Sequence, residues 1–180
     1  MMIGISGVGK TLWSADHTKV FAANNKVCYH SMAKCRRFFV EDKLKRKDTP
    51  INVITKLVAE NRAEFDQFYQ ERIRKDFNNS DVVIVDGTNL ISEHRDPYLK
   101  ISEELNFAKV AVVVRADLDL VIRRQAKRRS PIPMTVLQRQ IQDFERLVES
   151  GILHQEFDAV LYVQSVGTDP RAPVWDEKTK

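Results

Sequence analysis

The chain contains few cysteines and no long apolar run. Only two of its 180 residues are cysteines, Cys28 and Cys35. Two are too few for a disulfide framework or a four-cysteine zinc site, so we expect reduced thiols. No apolar run approaches the ~20 residues that a membrane-spanning helix requires, and the opening residues lack the features of a secretory signal. These absences predict a cytoplasmic protein with no membrane partner.

Glycine is also scarce, and its distribution is uneven. The chain has six glycines, and Gly4, Gly7 and Gly9 lie close together. The composition is otherwise that of one globular domain, with 43% hydrophobic residues and a formal net charge of +4. A mildly basic chain favours polyanionic partners, although phosphate-handling enzymes share this charge without binding nucleic acid. We expect one domain over residues 1–164 and a loosely ordered tail at 165–180, where the sequence turns polar.

Short β-branched runs alternate with helical patterns, which predicts parallel strands joined by crossover helices. The runs 82–85 and 110–114 are almost continuously apolar, as expected of central strands covered on both faces. One long amphipathic helix is predicted over about 52–78, and another carries apolar residues from 137 to 148 and ends near Gly151. The predicted strands are 2–5, 26–30, 81–86, 109–115 and 159–163.

A complete phosphate-binding motif begins at Gly4. Residues 4–11 read G-I-S-G-V-G-K-T, which matches G-x-x-x-x-G-K-[ST] and lies between an apolar strand and a helix. Such a loop points successive N–H groups at phosphate oxygens. Lys10 is expected to reach the β- and γ-phosphates, and Thr11 to place its hydroxyl on Mg²⁺. The motif predicts ATP and Mg²⁺ as cofactors, bound by Ser6, Gly7, Val8, Gly9, Lys10 and Thr11.

A second element of the site is an apolar strand that ends in a carboxylate. Residues 82–86 read V-V-I-V-D, and in P-loop enzymes a carboxylate at such a place lies near the magnesium ion, often through water. An aspartate at a strand end is by itself more often a turn or cap residue. The intact phosphate loop upstream favours the functional interpretation, so we predict Asp86 as a metal-binding and catalytic residue.

The residues that follow this strand resemble a known family. The run 86–90, D-G-T-N-L, followed by Glu93 and Arg95, is similar to the D-x-T-N-L and E-x-R run of phage-type polynucleotide 5′-kinases and their small P-loop kinase relatives. The similarity continues through 120–129 to about Glu145. It implies a three-layer α/β P-loop kinase fold with a five-stranded parallel sheet, the Asp86 strand beside the phosphate-loop strand, and a nucleic acid as the partner that carries the acceptor hydroxyl.

A cluster of basic residues precedes a stretch, 130–133, that reads S-P-I-P and cannot continue a helix. A charge run of this kind is usually a solvated helix face. The resemblance implies instead a short basic lid that supplies an arginine to the transferring phosphoryl group, whose charge is spread over three oxygens. Register with the family favours Arg128 and Arg124 as catalytic residues, and Lys127 fits almost as well. The cluster comprises Arg123, Arg124, Lys127, Arg128 and Arg129.

The segment after the second predicted strand departs from the family. At this place the family has an aspartate that accepts the proton of the acceptor hydroxyl, and an arginine follows three residues later. Arg36 matches the arginine, and the resemblance implies that Arg36 and Arg95 contact acceptor phosphates. The aspartate position falls at about Ala33. Because the transition state of phosphoryl transfer is usually loose, a carboxylate that accepts the proton late is sufficient, and we predict that Asp86 fills this role. No such role is assigned to His30, Glu41 or Asp42.

Other functions remain open on the sequence alone. Within the same class, the acceptor is a polynucleotide 5′-hydroxyl or a hydroxylated base in DNA. A kinase of a small metabolite or nucleotide is the main enzymatic alternative, and an ATP-binding nucleic-acid-binding protein that has lost catalysis is another. A GTP-dependent switch needs an N-K-x-D element, whereas the only N-K here, Asn25-Lys26, continues into Val27-Cys28. The oligomeric state is not predicted.

Overall fold

Helices and strands alternate along the chain as the sequence pattern predicts. The computed structural model describes residues 1–128 and 131–166, together with the backbone of 175–178. The strands are β1 (Met2–Ile3), β2 (Val27–Ser31), β3 (Val82–Asp86), β4 (Val110–Ala116), β5 (Ala159–Ser165) and β6 (Trp175–Lys178). The helices are α1 (Lys10–Phe21), α2 (Met32–Leu44), α3 (Ile51–Glu60), α4 (Arg62–Asn78), α5 (Ser92–Glu104), α6 (Leu118–Ala126), α7 (Met134–Glu149) and α8 (Leu153–Glu156).

The five predicted strands are present, but they form two sheets where one was predicted. One sheet has the order β1-β4-β5-β6, and the other contains β2 and β3. The ladders β1–β4, β4–β5 and β2–β3 are parallel, whereas β6 is antiparallel to β5. The sheet divides because β1 has only two residues, and the chain leaves the extended conformation at Gly4, where φ is +147°.

The Asp86 strand nevertheless lies beside the phosphate-loop strand. The N–H of Gly4 donates to the carbonyl of Thr88 at 3.1 Å, and the Asn89 side-chain amide donates to the carbonyl of Met2 at 2.7 Å. A backbone bond and a side-chain bond therefore join β1 to the segment after β3 in place of a ladder. Both come from the D-G-T-N-L run, which follows Asp86 directly.

Two hydrophobic cores lie on opposite faces of β3. Ile84 belongs to a core that includes β1, β4 and α7, whereas Val85 belongs to a second core formed with α2, α3, α4 and α5. Alternation along a strand produces this division, since successive side chains point to opposite faces. The second core is rich in aromatic rings, for example Phe39 against Phe65. The result is the predicted three-layer α/β arrangement.

The helix predicted over 52–78 is two helices, α3 and α4, which meet at Asn61. The backbone of Asn61 has φ −118° and ψ 40°, outside the helical region. Its side-chain amide donates to the carbonyl of Leu57 at 2.8 Å, and the Lys43 ammonium donates to its side-chain oxygen at 2.7 Å. Asparagine competes with the helical backbone in this way. The helix around 137–148 is confirmed as α7.

The segment predicted as a tail contains regular structure. Its first residue, Ser165, ends β5, and four of its residues form β6 against that strand. The remainder of this prediction, at 167–174 and 179–180, lies outside the described residues. Within the described part of the chain, no helix is both long and apolar enough to cross a membrane.

Candidate active site

The phosphate loop exposes its amides because its carbonyls point away from the ligand side and accept hydrogen bonds from the protein. The Lys10 ammonium donates to the carbonyls of Gly4 and Ile5, both at 2.8 Å. The Gln125 amide donates to the carbonyl of Ser6 at 2.9 Å. The Arg124 guanidinium donates to the carbonyls of Gly7 and Val8 at 3.3 and 3.0 Å. The carbonyl of Gly9 accepts the first N–H groups of α1, from Leu12 and Trp13.

This arrangement leaves the inner side of the loop to a ligand. Among the described residues, no carbonyl accepts a hydrogen bond from the N–H of Gly7, Val8 or Gly9. Gly7 has φ +97°, and a Cβ there would lie 3.0 Å from the Gln125 amide nitrogen, so the turn requires glycine. A row of inward N–H groups at the start of a helix is an anion-binding site.

Lys10 lies inside the site rather than on the surface, with only 7% of the residue exposed. Burial lowers the pKa of its ammonium to about 8, the Asp86 carboxylate opposes this shift, and the charge of Arg128 adds to it. Three predicted catalytic residues from separate segments therefore influence one another. A buried ammonium of this kind is stabilised when an anionic phosphate arrives.

The Asp86 carboxylate stands at the carboxyl end of β3 and accepts two side-chain hydrogen bonds on the same oxygen. The Thr11 hydroxyl donates to Oδ2 at 2.8 Å, and the Tyr29 hydroxyl also donates to Oδ2. Burial, followed by the contact with Asp86, raises the pKa of the Tyr29 phenol above its usual range, so Tyr29 remains a donor. The Lys34 ammonium lies 4.4 Å from the centre of the Tyr29 ring.

The donors in this corner of the site fit Mg²⁺. Thr11 and Asp86 provide a hydroxyl and a carboxylate, and magnesium prefers oxygen ligands, usually a few from the protein together with substrate phosphates and water. No group of three or more histidine, cysteine or acidic side chains suitable for a metal occurs in the described part of the chain. A magnesium ion would therefore be held jointly by these two residues and a nucleotide.

The two favoured arginines of the basic cluster differ in their surroundings. Arg128 is exposed just beyond the helix, and its guanidinium lies 3.5 Å from the Gln125 side-chain oxygen. Arg124 is buried; besides the loop carbonyls it binds the Ser165 hydroxyl at 2.9 Å. The prediction of Arg124 as a catalytic residue is therefore corrected, because its guanidinium supports the loop from behind. Lys127 is exposed at the end of α6, and Arg129 lies outside the described residues.

Arg95 does not face an acceptor. Only 2% of this residue is exposed, and its guanidinium binds both carboxylate oxygens of Glu156, at 2.6 and 2.8 Å. Its remaining terminal nitrogen donates to the carbonyls of Asn89 and Leu90. The predicted contact between Arg95 and an acceptor phosphate is therefore wrong, because this arginine fixes the segment after β3 against α8.

Arg36, by contrast, is exposed near the start of α2, one turn after Ala33. Its charge is close to the imidazole of His94 at the start of α5. Burial and the charge of Arg36, joined by Arg62, lower the pKa of His94. Arg36 and Arg62 therefore lie near enough to His94 for their charges to act on its imidazole. The contact between Arg36 and an acceptor phosphate stays a prediction.

The acidic residues of α2 lie further along the helix than Arg36. Glu41 accepts hydrogen bonds from Arg37 and from the backbone N–H of Thr49, and Asp42 pairs with Lys45 at 3.0 Å. Their partners belong to the end of α2 and the connection to α3. Both carboxylates are therefore engaged in contacts at the end of α2.

His30 is a structural residue. Its Nδ1 lies 2.7 Å from Asp76 Oδ2 and its Nε2 lies 3.6 Å from the Cys35 sulfur. The ring is 2% exposed and packs against Tyr69 and Tyr98. Burial is the larger influence and lowers the pKa of the imidazole, although Asp76 opposes the shift. The described partners of His30 are thus Asp76, Cys35 and two tyrosines of the core, and none of them belongs to the phosphate loop.

Sequence reasoning missed the residues that hold the site from a distance. Gln140 of α7 accepts the N–H of Ser6 at 2.9 Å, Gln125 joins the loop to Arg128, and Tyr29 reaches Asp86 from β2. Gln125 lies within the basic run, which the sequence analysis interpreted from its charged residues alone. Nothing in the local sequence around Tyr29 or Gln140 indicates that either touches the site.

The fold and this site define a P-loop kinase architecture. A crystal structure of shikimate kinase from Bacteroides thetaiotaomicron superposes on the chain with a TM-score of 0.51 and 14% sequence identity, over 88% of this chain and 82% of that one. At this identity the similarity concerns the fold. A family model described as AAA domain matches residues 1–147. The chain belongs to this AAA domain family of P-loop proteins.

Proposed function

We propose that the protein is an ATP-dependent, magnesium-dependent kinase that transfers the γ-phosphoryl group to a hydroxyl carried by a nucleic acid. The observation that carries the proposal is the phosphate loop, in which every carbonyl from Gly4 to Gly9 accepts a hydrogen bond from the protein. The inner amides are thereby available for the phosphates of a nucleotide. The Asp86 carboxylate lies beside the same loop, where it accepts the Thr11 hydroxyl.

The residues divide the work of transfer between them. The loop amides bind and orient the triphosphate, and Lys10 moves from its carbonyl partners to the β- and γ-phosphates. Arg128 contacts the transferring group, where charge develops in the transition state. Mg²⁺, when bound, neutralises charge on the phosphate oxygens. Asp86, which has one carboxylate oxygen left over, accepts the proton of the acceptor hydroxyl late in the reaction.

The charge on the acceptor side supports a polyanionic acceptor. Arg36, Arg62 and Lys34 are all exposed, and the charges of Arg36 and Arg62 act on His94 at the start of α5. The Arg62 guanidinium is paired with Asp66 at 2.8 Å, whereas Arg36 has no ion pair with a described residue. Phosphate groups are the ligands that arginine and lysine bind in nucleic acids. The phosphates of a nucleic-acid strand whose hydroxyl lies near Asp86 would pair with these cations.

Transfer of label from γ-labelled ATP to a panel of acceptors tests the proposal. The panel contains 5′-hydroxyl oligonucleotides of DNA and RNA, hydroxymethylated duplex DNA, nucleosides and small hydroxylated metabolites. We expect label on an oligonucleotide. Lys10→Ala should lower the rate by about 10²- to 10³-fold or more while circular dichroism remains unchanged, and exposed Lys100→Ala serves as the matched control.

Each other outcome has a definite meaning. Label on a metabolite alone would replace the nucleic-acid acceptor with a small molecule and leave the kinase assignment standing. Tight ATP binding with no labelled acceptor would favour a protein that has lost catalysis. Transfer at the wild-type rate by folded Lys10→Ala would refute the kinase mechanism.

A further inference from the structure

The phenol of Tyr29 makes a contact that the proposed reaction does not yet use. Tyr29 lies on β2, half-buried, and its hydroxyl donates to Oδ2 of Asp86, the oxygen that also accepts the Thr11 hydroxyl. No hydrogen bond from a described residue reaches Oδ1. Two donors therefore occupy one carboxylate oxygen and leave the other for ligands.

A single donor would not keep Oδ1 of Asp86 free for ligands. The torsion of an aspartate carboxylate is broad and roughly two-fold, so with Thr11 alone either oxygen can turn toward the nucleotide. Thr11 itself belongs to the phosphate loop, and its hydroxyl is needed at the magnesium ion. Tyr29 approaches from a different strand, and it keeps its bond to Asp86 when Thr11 changes partners.

The position of Tyr29 is set by rigid parts of the fold. Tyr29 pairs with Ile84, and Ser31 with Asp86, in the parallel ladder between β2 and β3. The Lys34 ammonium, from the first turn of α2, covers the ring at 4.4 Å, and a cation at this distance is attracted to the face of the ring. The hydroxyl is thus held in place from the backbone and from the ring face.

We propose that Tyr29 is a positioning residue that fixes the Asp86 carboxylate so that Oδ1 faces the magnesium ion and the acceptor. This inference rests on the proposed function, because it assigns Asp86 to both. Outer contacts of this kind commonly change metal affinity or activity by about 10- to 100-fold when they are removed. Tyr29 acts through Asp86 and touches neither substrate.

Tyr29→Phe removes only the hydroxyl, and Tyr162→Phe is the matched control, since the hydroxyl of Tyr162, on β5, contacts His154 of α8 at 3.4 Å. The first measurement needs no turnover: calorimetric titration of ADP into each protein, with and without magnesium. We expect Tyr29→Phe to bind ADP normally without metal and to lose about tenfold in the enhancement that magnesium gives. Tyr162→Phe should match the wild type in both titrations.

The second measurement is steady-state turnover. Tyr29→Phe should lower kcat by about 10-fold or more with the ATP KM unchanged and with a melting temperature close to that of the wild type. Unchanged magnesium enhancement in folded Tyr29→Phe would overturn the inference, even if the wild type is an active kinase. If instead the wild type transfers no phosphate while the enhancement still depends on Tyr29, the proposed reaction fails and the positioning role stands.

Discussion

The nucleotide half of the site and its proposed acceptor half differ in how their cations are placed. Around the phosphate loop, Lys10 and Arg124 are buried and bind backbone carbonyls. Near the starts of α2 and α4, Lys34, Arg36 and Arg62 are exposed. Arg124 supports the backbone of the loop, Lys10 rests on the same backbone until a phosphate arrives, and we propose that the second group presents charge to an acceptor.

This difference shows why a basic residue near an active site is not by itself a ligand-binding residue. A buried guanidinium requires full pairing, because an unpaired buried charge is costly. An arginine whose donors are taken by carbonyls or a carboxylate is therefore part of the scaffold. An exposed one remains available to phosphate.

The largest expected effect separates Arg128 from Arg124. Arg128→Ala should lower kcat by about a thousandfold, the low end for an arginine that stabilises the transferring phosphoryl group, and leave the melting temperature unchanged because the side chain is exposed. Stopped-time assays of label transfer and thermal melts measure the two quantities.

Arg124→Met should behave differently. The carbonyls of Gly7 and Val8 and the Ser165 hydroxyl lose their charged donor, so we expect a loss of about 2–3 kcal/mol in the free energy of unfolding and weaker ATP binding. If Arg124→Met is as stable as the wild type but inactive, the assignment of the two arginines is reversed.

A second comparison concerns the carboxylates. Asp86→Asn should lower kcat by at least about a hundredfold, because it removes both a metal ligand and the proton acceptor. Asp42→Asn should leave kcat near the wild-type value, since Asp42 pairs with Lys45 at the far end of α2. Activity in Asp86→Asn together with inactivity in Asp42→Asn or Glu41→Gln would move the base to α2.

Arg36 and Arg95 provide the third comparison. Arg36→Ala should raise the acceptor KM by about tenfold and leave stability unchanged. It should also reduce the slope of log binding constant against log salt concentration by about 1, because one phosphate contact is lost. An unchanged salt slope would argue for a small uncharged acceptor.

Arg95→Met should instead cost about 3–5 kcal/mol in the free energy of unfolding, because it leaves Glu156 partly buried without its partner. The double variant Arg95→Met, Glu156→Gln should recover part of this loss in urea denaturation. An Arg95→Met protein of normal stability with a raised acceptor KM would restore the role that the sequence predicted.

The smallest effect tests the core beneath the acceptor half. Burial lowers the pKa of His30 below its usual value, so near pH 6.5 the unfolded chain binds a proton that the folded one does not. Stability should therefore decrease as the pH falls from about 6.5 toward the lowered pKa. Denaturant titrations between pH 5.5 and 7.5 should show a flatter dependence for His30→Gln than for the wild type or the exposed His154→Gln. Equal slopes would contradict this assignment.

The sequence by itself determined the nucleotide half. The phosphate loop is contiguous because its ligands are neighbouring backbone amides, so glycine spacing and the residues Lys10 and Thr11 define it locally. An apolar strand that ends in a carboxylate is similarly local, and Asp86 was therefore predictable. The strands and their parallel pairing followed from the period of apolar residues.

Only the tertiary structure decided which basic residues face a ligand. Arg124 and Arg128 lie four residues apart, yet the first is buried beneath the loop because α6 packs there, and the second lies beyond the end of that helix. Arg95 is scaffold because Glu156, which lies 61 positions later, reaches its guanidinium. Tyr29 reaches Asp86 across 57 positions. Contacts between residues so far apart in the chain depend on how helices and strands pack, and no local pattern encodes that packing.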